Sequence, residues 1–377
     1  MRPPFDMKKT LLCMALAAGL VPAAFAQGNV QLYGVIDAGV THFSGIKGGT
    51  GSTSATGLSS GVQGGDRIGI RGGEDLGGGL KAVFDVETGF CGTGISQNQP
   101  VGYAGAGAAN GYCTGGPSGG FMQRQSWVGL KGSFGEIMGG RLYTTQFLNE
   151  AAIDPFGYGL TGNIGNLALA VPRSQQTIEF VAPTIGGFTG NATYTFAANN
   201  GNVPGATPAT SKVGRGFSLD GMYDQGPVVA GLLYSQSTNT VVNPATGLND
   251  GKTSLWQAFG SYDFGSAKVA ALYEHLAGDY NTPTQKFYML GVTVPAGPGA
   301  LLASYGHLDN GLANGVAKQY AIGYKYNLSK QTDLYASYSH MTNGLGVSKA
   351  VGDSTDVLAG VAGVSSSGVT VGMSHSF

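Results

Sequence analysis

Short segments in which apolar and polar residues alternate recur along almost the whole chain, and they constrain its fold more than any other feature. In "NVQLYGVIDAGV", Val30, Leu32, Ile36 and Val40 share one face. The segments "LKAVFDVE" and "KQYAIGYKYNL" alternate in the same way. A period of two residues is typical of β-strands with one apolar and one polar face. The sequence therefore predicts a protein built almost entirely of strands.

The connections between these segments alternate between short and long. Short links include "EDLGGG", "KGSFGE" and "DQGP". Longer polar stretches lie near residues 44–65, 91–120, 144–172, 199–214, 240–252, 277–285, 309–316 and 342–365. Seven short and eight long connections predict sixteen strands. An even number brings both ends of an up-and-down barrel to the same side.

Two architectures could use such strands: a soluble sandwich or a closed barrel in a membrane. A sandwich made of consecutive hairpins would leave long unpaired edges, whereas strands in a bilayer must close so that every backbone group is paired. Aromatic residues near strand ends suit girdles at the two membrane interfaces, namely Tyr33, Phe43, Phe180, Tyr262, Phe264 and Tyr326. We therefore expect an all-β fold, a 16-stranded antiparallel transmembrane barrel whose first and last strands pair.

The composition is unusual for a soluble protein. Charged residues make up 11% of the chain, against about 25% in typical soluble domains. The net charge is −1, and no basic arm or charged tail is present. This balance excludes nucleic acid as an expected partner.

The first 26 residues have the pattern of a secretory signal peptide. Two lysines precede the apolar stretch Leu11–Leu20, and Ala24-Phe25-Ala26 fits a cleavage site. Met7 is an alternative start. We expect removal of residues 1–26, which leaves 27–377 as a single barrel domain.

Two cysteines follow this segment, Cys91 and Cys113, both in a Gly-rich stretch. An even count in an exported chain favours a disulfide; the alternative is two free thiols. No His or acidic residue lies between them, so we expect no metal site there. None of the five His residues forms a recognisable motif with a nucleophile. We expect neither a cofactor nor an enzyme.

Several longer stretches resemble the Gram-negative general porins, close to the beta-proteobacterial type. They are "VQLYGVIDAGV", "DRIGIRGGEDLGGGLKAVFDVE" and "QSWVGLKGSFGEIMGGRL", together with Phe377 at the end. The resemblance spans essentially all of the chain after residue 26. It implies short periplasmic turns, long extracellular loops and a third long loop, residues 144–172, folded into the lumen. Family members often carry Pro-Glu-Phe-Gly in that loop, where this chain has Asp154-Pro155-Phe156-Gly157.

The resemblance also implies a function and partners. We expect an outer membrane homotrimer that forms a water-filled channel for passive passage of ions and small hydrophilic solutes, with a weak preference for anions. Outer membrane lipids, lipopolysaccharide and the barrel insertion machinery are the expected partners, and Phe377 is the expected assembly signal. The alternative is a substrate-selective or adhesive barrel with a narrow or closed lumen.

The selectivity of a pore depends on the charges at its narrowest ring. Strand alternation directs five basic side chains into the lumen: Arg67, Arg71, Lys81, Arg141 and Arg173. The direction of the Arg124 side chain stays open, because either Trp127 or Val128 could take the lipid side. We expect Glu150 and Asp154 of the third loop to face the basic wall across the constriction. The alternative is that these cations only solvate the lumen wall.

Overall fold

The computed structural model describes residues 29–49, 51–93, 122–196, 213–239, 244, 250–355 and 358–377. The strand segments are β1 (Asn29–Lys47), β2 (Ser52–Ser60), β3 (Arg67–Gly77), β4 (Leu80–Gly89), β5 (Gln125–Gly132), β6 (Gly135–Tyr143), β7 (Arg173–Val181), β8 (Phe188–Thr195), β9 (Gly216–Gln225), β10 (Val228–Thr238), β11 (Lys252–Asp263), β12 (Lys268–Gly278), β13 (Gln285–Ala296), β14 (Gly299–Asp309), β15 (Val316–Asn327), β16 (Thr332–Asn343) and β17 (Ser366–Ser376). Helix α1 (Thr145–Ile153) and a 3₁₀ helix (Ile164–Asn166) lie between β6 and β7. Within the described residues, no helix is both long and apolar enough to cross a membrane.

The strands form one closed antiparallel sheet in which β1 pairs with β17. Two segments, β2 and β3, pair with successive parts of β1, so the 17 segments make 16 strands around the barrel. The predicted fold class is confirmed. The expected long connection at 44–65 is wrong, because β1 ends at Lys47 and β2 already begins at Ser52. Residues 61–66 instead interrupt the second strand.

The apolar faces of the strands point outward. Val30, Leu32 and Val40 are all more than half exposed on β1, as the alternation predicts. Exposure of such side chains on every side of a closed sheet is the arrangement of a barrel that faces lipid. Four of the expected girdle aromatics are also on the outer face: Phe180, Tyr262, Phe264 and Tyr326.

The other two girdle assignments are wrong. Phe43 is 0% exposed and belongs to an apolar cluster inside the barrel, with Val351 and Met341. The Tyr33 hydroxyl donates to Asp85 Oδ1 at 2.8 Å, which places this side chain in the lumen as well. Alternation along β1 already puts both residues opposite its lipid face. The loops that enter the lumen provide the apolar partners that Phe43 needs.

Three predictions concern the ends and the cysteines. Phe377 is partly exposed, and its backbone exchanges two hydrogen bonds with Gly34, at 3.0 and 3.1 Å. It therefore lies at the seam, as expected. Cys91 is disulfide-bonded, but Cys113 lies outside the described residues, and the pairing stays a prediction. The proposed signal peptide, residues 1–26, also lies outside them.

Candidate functional site

The third long loop, residues 144–172, folds into the barrel as expected, and its two ends are fastened together. Thr144 caps α1, since its hydroxyl oxygen accepts from the Phe147 N–H at 3.2 Å. The same hydroxyl donates to the Val171 carbonyl at 2.6 Å, and the Thr144 N–H donates to the Pro172 carbonyl at 3.1 Å. These contacts hold the loop as a closed unit beside strands β6 and β7.

Helix α1 lies against the inner wall at β9, β11 and β12. The Asn149 amide donates to Asp220 at 2.9 Å and to Gln257 at 3.0 Å. Gln146 donates to Glu274 at 3.0 Å, and Gln257 donates to the same carboxylate oxygen at 3.0 Å. The loop therefore lies against one side of the lumen, and a cavity bordered by residues of β1, β3, β6, β7, β16 and β17 lies on its other side.

The interrupted second strand contacts the same loop and borders the same cavity. Residues 61–66 turn inward, and the Val62 carbonyl accepts from the Leu160 N–H at 2.7 Å. The Asp37 carboxylate holds this turn, since it accepts from the N–H groups of Gln63 at 2.7 Å and Gly64 at 3.0 Å. At Gly159 a Cβ would lie 1.8 Å from the Gln63 carbonyl oxygen, so this approach requires glycine.

Four arginines line one cavity beside the loop. The cavity has a volume of about 840 Å³, and it is bordered by Arg67, Arg124, Arg141 and Arg173. All four were expected to line the pore from the sequence. Val128 takes the outer face of β5, so continued alternation would send Arg124 outward, but Arg124 precedes the strand and is held inside by buried Glu87. The structure thus brings these four cations together.

Tyr143 connects two of these arginines. Its hydroxyl oxygen accepts from Arg124 Nη2 at 2.7 Å and from Arg173 Nη2 at 3.0 Å. The Arg173 guanidinium also lies 4.6 Å from the centre of the Tyr143 ring, which favours a cation–π contact. Two long side chains are therefore held at fixed positions at the edge of the passage.

One carboxylate compensates part of this positive charge. Glu87 is buried and pairs with Arg124 at 2.6 Å and with Arg67 at 3.3 Å. Its inward orientation follows from the same alternation that orients Lys81, but alternation alone does not predict its pairing with two arginines. A carboxylate so close to two guanidinium groups weakens their field in the passage.

Arg71 and Lys81 lie away from this cluster. Arg71 borders a neighbouring cavity together with Arg67, and it lies over the Tyr33 ring at 5.0 Å. Lys81 is the second residue of β4. It lies four positions before Asp85, the residue that pairs with Arg71. At about 3.3 Å per residue, that is roughly 13 Å further toward the short turn. Arg71 continues the basic wall, whereas Lys81 sits at its end.

The two loop carboxylates do not face the arginines. Glu150 is fully buried and borders the wall near Gln257 and Glu274, on the side of α1 opposite the cavity. Burial, followed by the charge of Glu274, raises the pKa of Glu150 well above its ordinary value. The expectation that Glu150 lines the passage does not fit this geometry, because the polar face of α1 is used for docking.

Asp154 has a structural position as well. Its carboxylate accepts from the backbone N–H groups of Phe156, Tyr158 and Ile164 at 3.0–3.1 Å. Burial raises the pKa of Asp154 to about 6, although these three hydrogen bonds act to lower it. Asp154 of the Asp-Pro-Phe-Gly element therefore stabilises the turn of the loop through hydrogen bonds to the loop's own backbone.

The carboxylates that do border the main cavity are Asp333 and Asp353. Asp333 follows from alternation along β16, since Leu334 and Tyr338 take the outer face. Asp353 lies in the final loop, residues 344–365, where no alternation exists to locate it. Sequence reasoning missed both.

Comparison with known proteins agrees with this architecture. The family model described as Gram-negative porin matches residues 11–346. An outer membrane porin protein of Bordetella pertussis is 32% identical over 386 residues, covering 89% of this chain and 95% of that protein. Outer membrane porin protein 32 of Delftia acidovorans is 30% identical and covers 98% of this chain and 100% of its own length.

Solved structures give the same result. The anion-selective porin from Comamonas acidovorans is similar with a TM-score of 0.74 and 28% identity, covering 93% of this chain and 100% of that one. An outer membrane protein of Vibrio cholerae, solved in a trimer form, has a TM-score of 0.63 at 17% identity, which is a likeness of fold alone.

Proposed function

Because the chain belongs to the Gram-negative porin family, we infer that the arginine-lined cavity is the narrowest section of a diffusion channel. The protein is an integral outer membrane β-barrel and a general porin. What passes is then decided by the width and the charge of this section. Passage is passive, and no catalytic step is involved.

We propose that the channel weakly prefers anions. The observation that carries this proposal is the convergence of Arg67, Arg124, Arg141 and Arg173 on one cavity. Two unit charges about 4 Å apart interact by roughly 1–4 kcal/mol in a wet environment. Glu87 neutralises part of the positive field, so the expected preference changes a permeability ratio several-fold and does not exclude cations.

The zero-current potential in a salt gradient across a planar bilayer tests this proposal. Arg141→Glu combined with Arg173→Glu should shift the potential toward cation preference, since two positive charges at the cavity become negative. Lys252→Gln, at the exposed start of β11, is the control and should leave the potential unchanged. An unchanged potential in the double variant, with single channels still conducting, would contradict the proposal. Absence of any conductance in the unmodified protein would favour the closed-barrel alternative.

We further propose that the barrel assembles as a homotrimer among outer membrane lipids and lipopolysaccharide, and that Phe377 is an assembly signal for the insertion machinery. The proposals rest on family membership and, for Phe377, on its place at the seam. Light scattering of the detergent-solubilised protein measures the oligomeric state. For Phe377, Phe377→Asp should reduce the amount of inserted barrel in the outer membrane far more than Phe264→Ala, at another exposed aromatic of the outer face.

A further inference from the structure

One side of the arginine-lined cavity is apolar. Val171 is 65% exposed although it lies in the channel and not on the lipid face. Ala170, Pro172 and Ala151 border the same cavity. We call these four residues the apolar patch. Apolar side chains left in contact with water in a polar lumen cost free energy, about 25 cal/mol per Å² of exposed area.

The backbone geometry of the loop does not require this patch. The carbonyls of Val171 and Pro172 are used to fasten the loop to Thr144, at 2.6 and 3.1 Å. These bonds would form with any side chain at position 171. The exposed valine side chain is therefore open to a functional explanation.

The patch lies beside the cations. Arg141 and Arg173 border the same cavity, and the Arg173 guanidinium carbon lies 4.6 Å from the centre of the Tyr143 ring. The Phe147 ring stacks on Tyr143 with centres 5.2 Å apart and also borders the cavity. The wall thus presents fixed guanidinium groups, aromatic rings and aliphatic surface within one space of about 840 Å³.

We propose that this part of the channel is a subsite for aromatic carboxylates. The carboxylate of such a solute is attracted by Arg141 and Arg173, while its ring covers the apolar patch and Phe147. A small inorganic anion uses only the guanidinium groups, and a hydroxylated carboxylate gains nothing from covering the patch. The subsite rests on the proposed anion preference, because it uses the same arginines.

Block of chloride current through single channels measures occupancy of the subsite. Benzoate, quinate and benzyl alcohol are the probes: an aromatic carboxylate, a hydroxylated ring carboxylate of similar size, and a neutral aromatic. Benzoate should block at a concentration roughly fivefold lower than quinate, the change expected when part of one apolar side chain is covered. Benzyl alcohol should block weakly, since it lacks the charge.

Variants of the two halves of the subsite complete the test. Val171→Ser should reduce the difference between benzoate and quinate, and Arg173→Gln should weaken block by both carboxylates. Leu312→Ser, at an exposed apolar residue of another loop, is the matched control and should change neither. Equal block by benzoate and quinate, or a benzoate preference that survives Val171→Ser, would overturn the subsite. A failed anion preference is distinguished by the chloride reversal potential, which is measured without any aromatic solute.

Discussion

The two sides of the lumen handle charge in opposite ways. Along β3 to β7, arginines lie at a wet cavity and are held by a carboxylate, Glu87, and a phenol, Tyr143. On the opposite side, the carboxylates Glu150 and Glu274 are both fully buried where α1 meets the wall, and side-chain amides donate to them. The arginine side presents its charges to the cavity. The side at α1 instead buries its carboxylates, and their hydrogen bonds hold the loop in place.

The difference shows that charge type alone does not reveal function in a barrel lumen. The Arg124–Glu87 pair is buried, so breaking it is costly, whereas Arg67, Arg141 and Arg173 are only partly buried and their charges contribute less to stability. A buried carboxylate, in contrast, is costly unless it is protonated or well hydrogen-bonded. The docking face of α1 is therefore expected to be sensitive to substitution and pH. The partly buried arginines Arg67, Arg141 and Arg173 are expected to tolerate substitution in stability but to affect conduction.

The largest effect on stability should follow from removal of an amide donor at the docking face. Gln257→Leu leaves Glu274 without one donor and Asn149 without one acceptor, which should cost about 3 kcal/mol of loop docking. Hydrogen exchange of the α1 amides measures this as faster opening. Gln225→Leu, at the exposed end of β9, is the control. Unchanged protection of α1 in Gln257→Leu would break the contrast between the two sides.

The next effect concerns pH. Because the pKa of Glu150 is raised above its ordinary value near 4.5, the docked loop binds a proton that the undocked loop releases. The contribution of Glu150 to the docking free energy is therefore fully present below its ordinary pKa. It decreases as pH rises from that ordinary value toward the raised pKa, by at most about 1.4 kcal/mol per pH unit.

Glu150→Gln should remove most of this pH dependence, since the amide stays neutral. A smaller dependence should persist up to the pKa of Asp154, about 6. Hydrogen exchange of α1 across pH 5–8, corrected for intrinsic rates, provides the measurement. The same slope in Glu150→Gln as in the unmodified protein would show that another group controls docking.

The smallest effect should come from the arginine wall itself. Tyr143→Phe removes the hydroxyl that Arg124 and Arg173 share but keeps the ring under Arg173. A lost hydrogen bond to a charged group costs about 1–3 kcal/mol when buried and less at a wet cavity. We expect less than a twofold change in the ratio of anion to cation permeability and unaltered exchange of α1. Tyr338→Phe, on the lipid face, controls for loss of a hydroxyl elsewhere.

Alternation predicts the barrel and the inward direction of most arginines, but one of them is inward for a different reason. Ile137 takes the outer face of β6, so simple alternation would send Arg141 outward as well. The register between β6 and β7 shifts after Gly140, where φ is +150°, and Arg141 then donates to the Gln123 carbonyl at 2.6 Å. A bulge changes the phase of a strand, and alternation alone does not locate it.

The loop residues were the least predictable part. Nothing in the sequence around Glu150 distinguishes a carboxylate that faces water from one that faces a wall, because its partners Gln257 and Glu274 are more than 100 positions away. Asp154 is similar in this respect, since its three hydrogen bonds depend on how the loop turns. Tertiary packing decides the role of such residues.

The inward turn at residues 61–66 has a consequence for the order of assembly. Its Val62 carbonyl accepts from Leu160 at 2.7 Å and from Ser354 at 3.3 Å, which joins three segments from the start, the middle and the last quarter of the chain. Contacts between such distant segments form late, after the entropy of closing long loops has been overcome. A barrel that is already inserted but has not yet formed this junction should have a wider and less selective channel. Ion selectivity should therefore be established only after the strands of the barrel have closed.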